Sequence, residues 1–398
     1  MKTIKYTGFA IALIAFNQVL VLTPGISANL YYLFIGIAFL VGFYYRKDFS
    51  INPLMVWFLL VAAISLLVNV IPEFFNSPFR LITFAVVTGL VGPIVFTAGL
   101  NNLRRFIFKG LNNLIFVVGA LSFLLYVTGI SLGRNTGGFA GFFNHSMMMG
   151  PVAGIALIVG FYRFYSFGSP IFKKTRNKRW LTAIALVLLF IILLLSSSRA
   201  AILGASAGLL FFFYKVYQQR ITRFLSVIFM LVMILLVTFP LWSDFTRGIA
   251  NKQTAIQESG DLITARRDHW TARTAEFYSS PFFGIGFATV STESNREDFD
   301  EKTGTIEPGS SWLAILSMVG VLGFIPVFWI FLRNMYFLTV NKSKTLKTAA
   351  LGGLLVFFIT HMFAEGYFLS SGSFLFFYVW LLLGIIDIFR RTGKVIII

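Results

Sequence analysis

Residues 181–217 read LTAIALVLLFIILLLSSSRAAILGASAGLLFFFYKVY. Two apolar runs, 180–197 and 200–217, meet with almost no loop, and the join is the polar SSSR of Ser196 to Arg199. A helix that crosses a bilayer needs about 20 predominantly apolar residues, so each run reads as a span and the pair as a tight helical hairpin. An arginine at such a tip is costly near membrane depth and is a functional candidate for that reason.

Working outward, ten more runs of this kind lie at 6–23, 28–45, 52–71, 81–100, 110–130, 147–165, 224–242, 310–332, 348–366 and 372–389. The expectation is an all-α integral membrane protein of about twelve transmembrane helices, a single polytopic domain over 1–398. Composition agrees: 57% of residues are hydrophobic, 48 are Phe, and only 12% are charged, against about 25% in soluble domains. A disordered chain and a soluble nucleic-acid-binding domain are excluded, and nucleic acid is not an expected partner. The first run is too long, and too closely followed by another, for a cleaved signal peptide. Cys is absent, which removes disulfides and thiolate–metal sites.

The net charge of +18 becomes informative once the spans are set. With the N-terminus in the cytoplasm, 23 of the 33 basic residues but only two of the 15 acidic ones fall inside, as the positive-inside rule demands. The expected layout is multi-pass with both termini cytoplasmic. The charge is then a topological signal, about +21 inside and −3 outside, and not the mark of a polyanionic partner.

Most connections are short. The exception is 243–309, an extracytoplasmic loop between spans 9 and 10, and loops of that length are commonly functional. Within it, 261–277 (DLITARRDHWTARTAEF) has helical spacing, with Leu262, Arg266, His269, Trp270, Arg273 and Phe277 on one stripe. Pro281 ends the pattern, and Gly284 and Gly286 follow in PFFGIGF.

Few outward polar residues lie close to spans. Arg199 offers a planar fork of donors suited to phosphate, or else it snorkels to headgroups. Arg266 and Arg273 could clamp a diphosphate from one helix face, or simply pair with Asp268 or Glu276. Glu307, in TGTIEPGSSWL, stands at a Pro-Gly turn where a carboxylate could act as a general base. His361 and Glu365 are four apart on one face of span 11, suiting catalysis or a buried structural bond. Arg134 and His145 bracket the glycine-rich GRNTGGFAGFFNHS and, with Trp270, are candidates for substrate contact. The acids of Glu293–Glu301 are irregularly spaced, as on a solvated loop. No P-loop, HExxH, GxSxG or EF-hand run occurs, and no cofactor or metal is expected.

These motifs resemble, in order and sidedness, the O-antigen ligase and Wzy-type polymerase superfamily. SSSRAAILGASAGLL is similar to its Ser-Arg-Gly/Ala signature, and ARRDHWTARTAEFYSSPFFGIGF to its Arg-x-x-x-Trp followed by Pro-x-x-Gly-x-Gly. SSWLAILSMVGVLGF is similar to its polar-aromatic-Leu entry into a span, and AEGYFLSSGSFLFFYVWLLLG to the polymerase-type ending. The resemblance covers mainly 180–390. It implies a GT-C-type glycosyltransferase of the bacterial cytoplasmic (inner) membrane, acting on its outer side on a polyprenyl-diphosphate-linked oligosaccharide. A chain-length regulator and a flippase of the same pathway would be its partners. The family's two phosphate-binding arginines would map onto Arg199 and Arg266. Ligases carry a His-Asn pair where this chain has Glu307-Pro308-Gly309, which favours a polymerase with Glu307 as base. The alternatives are an O-antigen ligase passing glycan to a lipid or protein, and a lipid-linked oligosaccharide flippase. The latter would normally show two similar halves, which this sequence lacks.

Overall fold

The computed structural model describes residues 2–45, 47–130, 132–133, 137–167, 173–246, 264–293, 299–341 and 345–393, with residues 248 and 254. It is helical almost throughout. Among the described residues, nine helices of more than one turn precede the long segment: α1 (Lys2–Asn17), α2 (Ala28–Tyr44), α3 (Pro53–Val68), α4 (Ser77–Val91), α5 (Ala98–Val127), α6 (Ser146–Ser166), α7 (Lys173–Leu195), α8 (Arg199–Tyr217) and α9 (Ile221–Val237). The one-turn α10 (Phe239–Trp242) and the polar α11 (Thr264–Ser279) follow. The last three are α12 (Ser311–Val340), α13 (Thr345–His361) and α14 (Phe374–Thr392). Two antiparallel strand pairs close turns: β1 (Ser50–Ile51) with β2 (Val95–Phe96), and β3 (Phe299–Asp300) with β4 (Thr305–Ile306).

Among the described residues, six helices are long and apolar enough to cross a membrane: Glu73–Val91, Ala98–Val127, Ser146–Ser166, Arg176–Leu195, Arg199–Tyr217 and Ser311–Val340. This supports a membrane protein on fewer qualifying spans than the twelve expected. The other expected spans fall on shorter helices or, in α14, on one ending in Asp387, Arg390 and Arg391. Boundaries shift as well. The first helix stops at Asn17. The fifth begins at Ala98, capped by Thr97, so that Arg104, Arg105 and Lys109 ride on a helix about 45 Å long.

The centre of the bundle is α14, buried on every side from Phe374 to Phe389, as befits a helix apolar all round. Asp387, fully buried, holds its far end through Arg333 (3.1 Å), Arg390 (2.6 Å) and Arg391 (2.9 Å). At the opposite end of the bundle lies segment 243–309.

That segment is docked by a break in α12. Gly320 has φ 65° and ψ −173°, which interrupts the helix. A continuous helix would pair the carbonyls of Ser317 and Met318 with the amides of Val321 and Leu322. Here the loop after α11 takes all four groups. Ile285 and Gly286 donate to Ser317 and Met318 (2.8 and 3.2 Å), while Val321 and Leu322 donate to Pro281 and Phe282 (2.8 and 3.3 Å). Asn69 Nδ2 donates to the Gly284 carbonyl (3.0 Å), and Phe287 N donates to Ser65 Oγ (3.1 Å), fastening the loop to α3.

Gly284 has φ +70°, and an added Cβ would lie 2.3 Å from the Met318 carbonyl carbon. Gly129 shares φ +70° but has open space around it. Gly129→Ala should therefore cost only the left-handed conformation, about 1–3 kcal/mol. Gly284→Ala should cost clearly more, read as a larger drop in Tm of the detergent-purified protein; equal drops would refute the docking role.

Candidate active site

Three elements converge where segment 243–309 meets the bundle. The first is the α7–α8 turn. Ser198 caps α8 by accepting from Ala201 N (3.4 Å), and Ser197 takes the left-handed conformation (φ 53°). The glycine-rich loop buttresses it, with Phe139 N donating to the Leu195 carbonyl (2.8 Å). Arg199 is then the first residue of α8, exposed, and nothing among the described residues pairs with it. Both its charge and the free amides of the helix start favour an anion there.

The second element is the end of α13. Helices α8 and α13 pack closely because glycines face one another: an added Cβ at Gly208 would lie 2.6 Å from the Gly353 carbonyl, and one at Gly204 3.1 Å from the Phe357 ring. This antiparallel register, carried one turn further, brings the start of α8 level with His361 and Met362.

The third is the turn 307–311, which clamps the loop leaving α13. Ser311 Oγ donates to the Glu365 carbonyl (2.6 Å) and accepts from Tyr367 N and Phe368 N (3.1 and 3.2 Å). Ser310 Oγ donates to the Met362 carbonyl (3.3 Å), and Trp312 Nε1 to that of Ile359 (3.2 Å). An added Cβ at Gly366 would clash with the Pro308 ring. The Ser-Ser-Trp entry into α12 is thus a positioning device for Glu365, a role that spacing in the sequence does not reveal.

Arg266 reaches this junction from α11. Its Nη2 donates to Glu365 Oε1 (2.7 Å) and its Nη1 to the Gly309 carbonyl (3.3 Å), with the side chain 36% exposed. His269, one turn along α11, packs against Gly309, where an added Cβ would lie 2.6 Å from the histidine's own. A histidine therefore does stand at this turn, delivered by α11 and not by the residues before α12. Glu365 lies beyond the end of α13. Burial raises its carboxyl above the ordinary range, Arg266 opposes the shift, and the nearby negative charge of Glu307 adds to it.

The remaining candidates separate. His361 and Glu365 do not share a helical face, because α13 ends at His361. His361 is buried, stacked on Phe357, with Nδ1 3.2 Å from the Tyr367 hydroxyl, which is a structural setting. Arg273 is fully buried and pairs with Glu276 (2.9 Å), which also accepts from Ser291 N (2.7 Å). Its charge is already matched, so it does not join Arg266 as an open cation. His145 caps α6, its Nδ1 accepting from Met147 N (3.0 Å). Arg134 lies outside the described residues, as do Leu262 and, of the acids of Glu293–Glu301, Glu297 and Asp298. Trp270 helps to line an apolar cleft of about 500 Å³ that also borders Ser310, Trp312, Leu316, Phe328 and Phe331.

Fold and site together define an all-helical, membrane-type protein with a cationic polar junction at one end of its bundle. Residues 184–328 match the family model described as O-antigen ligase, and this match supports the O-antigen ligase/Wzy superfamily that the motifs resemble. Members of that family are in general glycosyl-transferring enzymes that use lipid-linked glycans. The matched segment holds Arg199, Arg266 and Glu307, whereas Glu365 lies beyond it. No curated protein matches the chain.

Glu365 sets a pH signature. Its folded-state pKa is raised, so the native protein holds this proton more tightly than the unfolded chain does. The stability it contributes is therefore fullest below the ordinary value of 4.5 and is lost as pH rises through the folded value. Between pH 4.5 and 7 the Tm of Glu365→Gln should gain on that of the wild type; a constant difference would sink this assignment.

Proposed function

We propose that the protein polymerises oligosaccharide repeat units carried on polyprenyl diphosphate, building O-antigen, capsule or exopolysaccharide on the extracytoplasmic side of the membrane. The observation that carries this reading is that two arginines, Arg199 without a partner among the described residues and Arg266 partly exposed, stand at the same end of the bundle as an apolar cleft. A lipid diphosphate has that same division into a dianionic head and an apolar tail. The arrangement also suits a GT-C-type enzyme, which needs no nucleotide-sugar domain because its donor is already activated.

In the proposed reaction an acceptor hydroxyl attacks the anomeric carbon, the glycosidic C–O bond forms, and the bond to the diphosphate oxygen breaks. The configuration inverts and polyprenyl diphosphate leaves. Arg199 and Arg266 stabilise the charge that grows on the leaving group. The proton of the hydroxyl passes to a base at the 307–309 turn. Glu307 is exposed there, and His269 against Gly309 is the second candidate. The cleft seats the isoprenoid. Polymerisation is preferred over ligation because Glu307-Pro308 stands where ligases carry His-Asn.

Arg199→Ala and Arg266→Ala should each slow transfer by about 10²–10³, as does removal of a stabilising donor elsewhere. The assay is a ladder of lipid-linked products made by purified protein from a synthetic polyprenyl-diphosphate oligosaccharide. Full-length polymer from both variants would overturn the site. Transfer only to an added acceptor would mean ligase, and no reaction with the wild type would favour a flippase. Sidedness is tested on the cysteine-free chain: Thr303→Cys in intact cells should react with an impermeant maleimide and Gln219→Cys should not, with the reverse result inverting the topology.

A further inference from the structure

A second cavity, of about 260 Å³, is walled in part by Pro308. Its character differs from that of the apolar cleft. Tyr32, Thr305, Ser370 and Ser371 bring hydroxyls to its wall, and among the described residues Arg80 brings the single charge. The hydroxyls are already ordered: Ser371 Oγ stands 3.1 Å from the Tyr32 hydroxyl and 2.9 Å from Thr83 Oγ1. Thr83 in turn donates to the Arg80 carbonyl (3.0 Å). Arg80 Nη2 donates to the Gly304 carbonyl (2.5 Å), and no acidic residue among the described ones pairs with the guanidinium. No acid among the described residues lines the cavity.

A half-buried cation without a counter-charge, in a wall of fixed hydroxyls, is arranged for a small polyhydroxylated anion. Arginine binds carboxylate through two parallel N–H bonds, which is stronger and more directional than a contact to a neutral hydroxyl. The volume lies just under the about 300–1,000 Å³ of drug-sized sites and suits a sugar residue, not a lipid tail. Position matters as much as chemistry. Pro308, which packs on Gly366, forms part of the wall, and these two residues are the sequence neighbours of Glu307 and Glu365.

We infer that this cavity, walled by Arg80, Tyr32, Ser370 and Ser371, binds an acidic sugar residue of the uronic acid class, seated as part of the acceptor glycan. Only the word acceptor rests on the glycosyl-transfer reading. Arg80 takes the carboxylate, Ser370 and Thr305 take ring hydroxyls, and Tyr32 offers an aromatic face. The acceptor thereby enters through a cavity that shares no lining residue with the isoprenoid cleft.

The test uses the full chain in lipid nanodiscs, with methyl glucuronide and methyl galacturonide as probes against methyl glucoside and methyl galactoside. Binding is read by saturation-transfer NMR and titration calorimetry. The uronides should bind saturably and about tenfold or more tighter than the neutral sugars, as for a charge-assisted contact. Arg80→Gln should erase the preference and Arg80→Lys should keep part of it. Gly372→Trp provides a variant that leaves Arg80 intact, since an added Cβ there meets only the Tyr32 hydroxyl, at 3.4 Å. It should fill the cavity and abolish binding of both sugar classes.

Equal binding of acidic and neutral sugars, no uronide binding by the wild type, or uronide binding that survives both Arg80→Gln and Gly372→Trp would overturn the inference. Binding is measured without turnover, so the two readings fail separately. A protein that binds uronides but builds no ladder loses the transferase reading alone. One that builds the ladder but ignores uronides loses the pocket alone.

Discussion

The hydrogen bonds exchanged between the broken α12 and the loop 281–286 carry the rest of the candidate site. In an apolar bundle an unpaired backbone group is expensive, so a helix cannot be interrupted unless other groups replace the lost bonds. Four replacements are made by one loop, and they fix the end of α11 relative to the top of α12. From that anchor α11 projects Arg266 and His269 over the turn at Gly309. The same α12 begins with Ser310-Ser311-Trp312, which grips the loop holding Glu365. The position of Arg266 against Glu365 is thus set twice, once from each end of the segment 281–320.

This explains which features were legible in the sequence. Apolar runs and charge asymmetry need no knowledge of contacts, so the helical class and the candidate arginines could be read directly. PFFGIGF was visible as a motif, but its purpose was not, because the break at Gly320 lies some 35 residues downstream in an otherwise unremarkable span. Helical periodicity put Arg266 and Arg273 on one stripe without distinguishing the lip of the protein from its interior. Glu276, three residues on, captures Arg273 in a buried pair. The i,i+4 spacing of His361 and Glu365 misled for a related reason: hydropathy continues past the end of α13, while the clamp by Ser311 unwinds the chain there.

Charge is divided between the two ends of the bundle in different ways. Around Asp387 three arginines share one buried carboxylate, which holds α14 in place at a considerable cost in desolvation and leaves the cluster net positive. At the end that holds the candidate site positive charge is sparser and differently tuned: Arg199 has no partner among the described residues, Arg273 is neutralised by Glu276, and Arg266 lies between these extremes. Three arginines that look equivalent as letters are thus electrostatically distinct once their neighbours are placed.

That gradation bears on turnover under the proposed reaction. A leaving group stabilised as its charge grows must still depart, and two fully uncompensated arginines would hold polyprenyl diphosphate after transfer as firmly as during it. Only interactions stronger in the transition state than in the bound states before and after it accelerate the reaction. The Arg266–Glu365 pair meets that requirement. Glu365 competes for Nη2, so Arg266 gives its charge to the diphosphate in proportion to the negative charge already there. When the product moves away, the carboxylate, held by Ser311 through its own backbone, is in place to take the guanidinium back. Arg199, anchored at the start of α8, then serves as the constant term and Arg266 as the variable one.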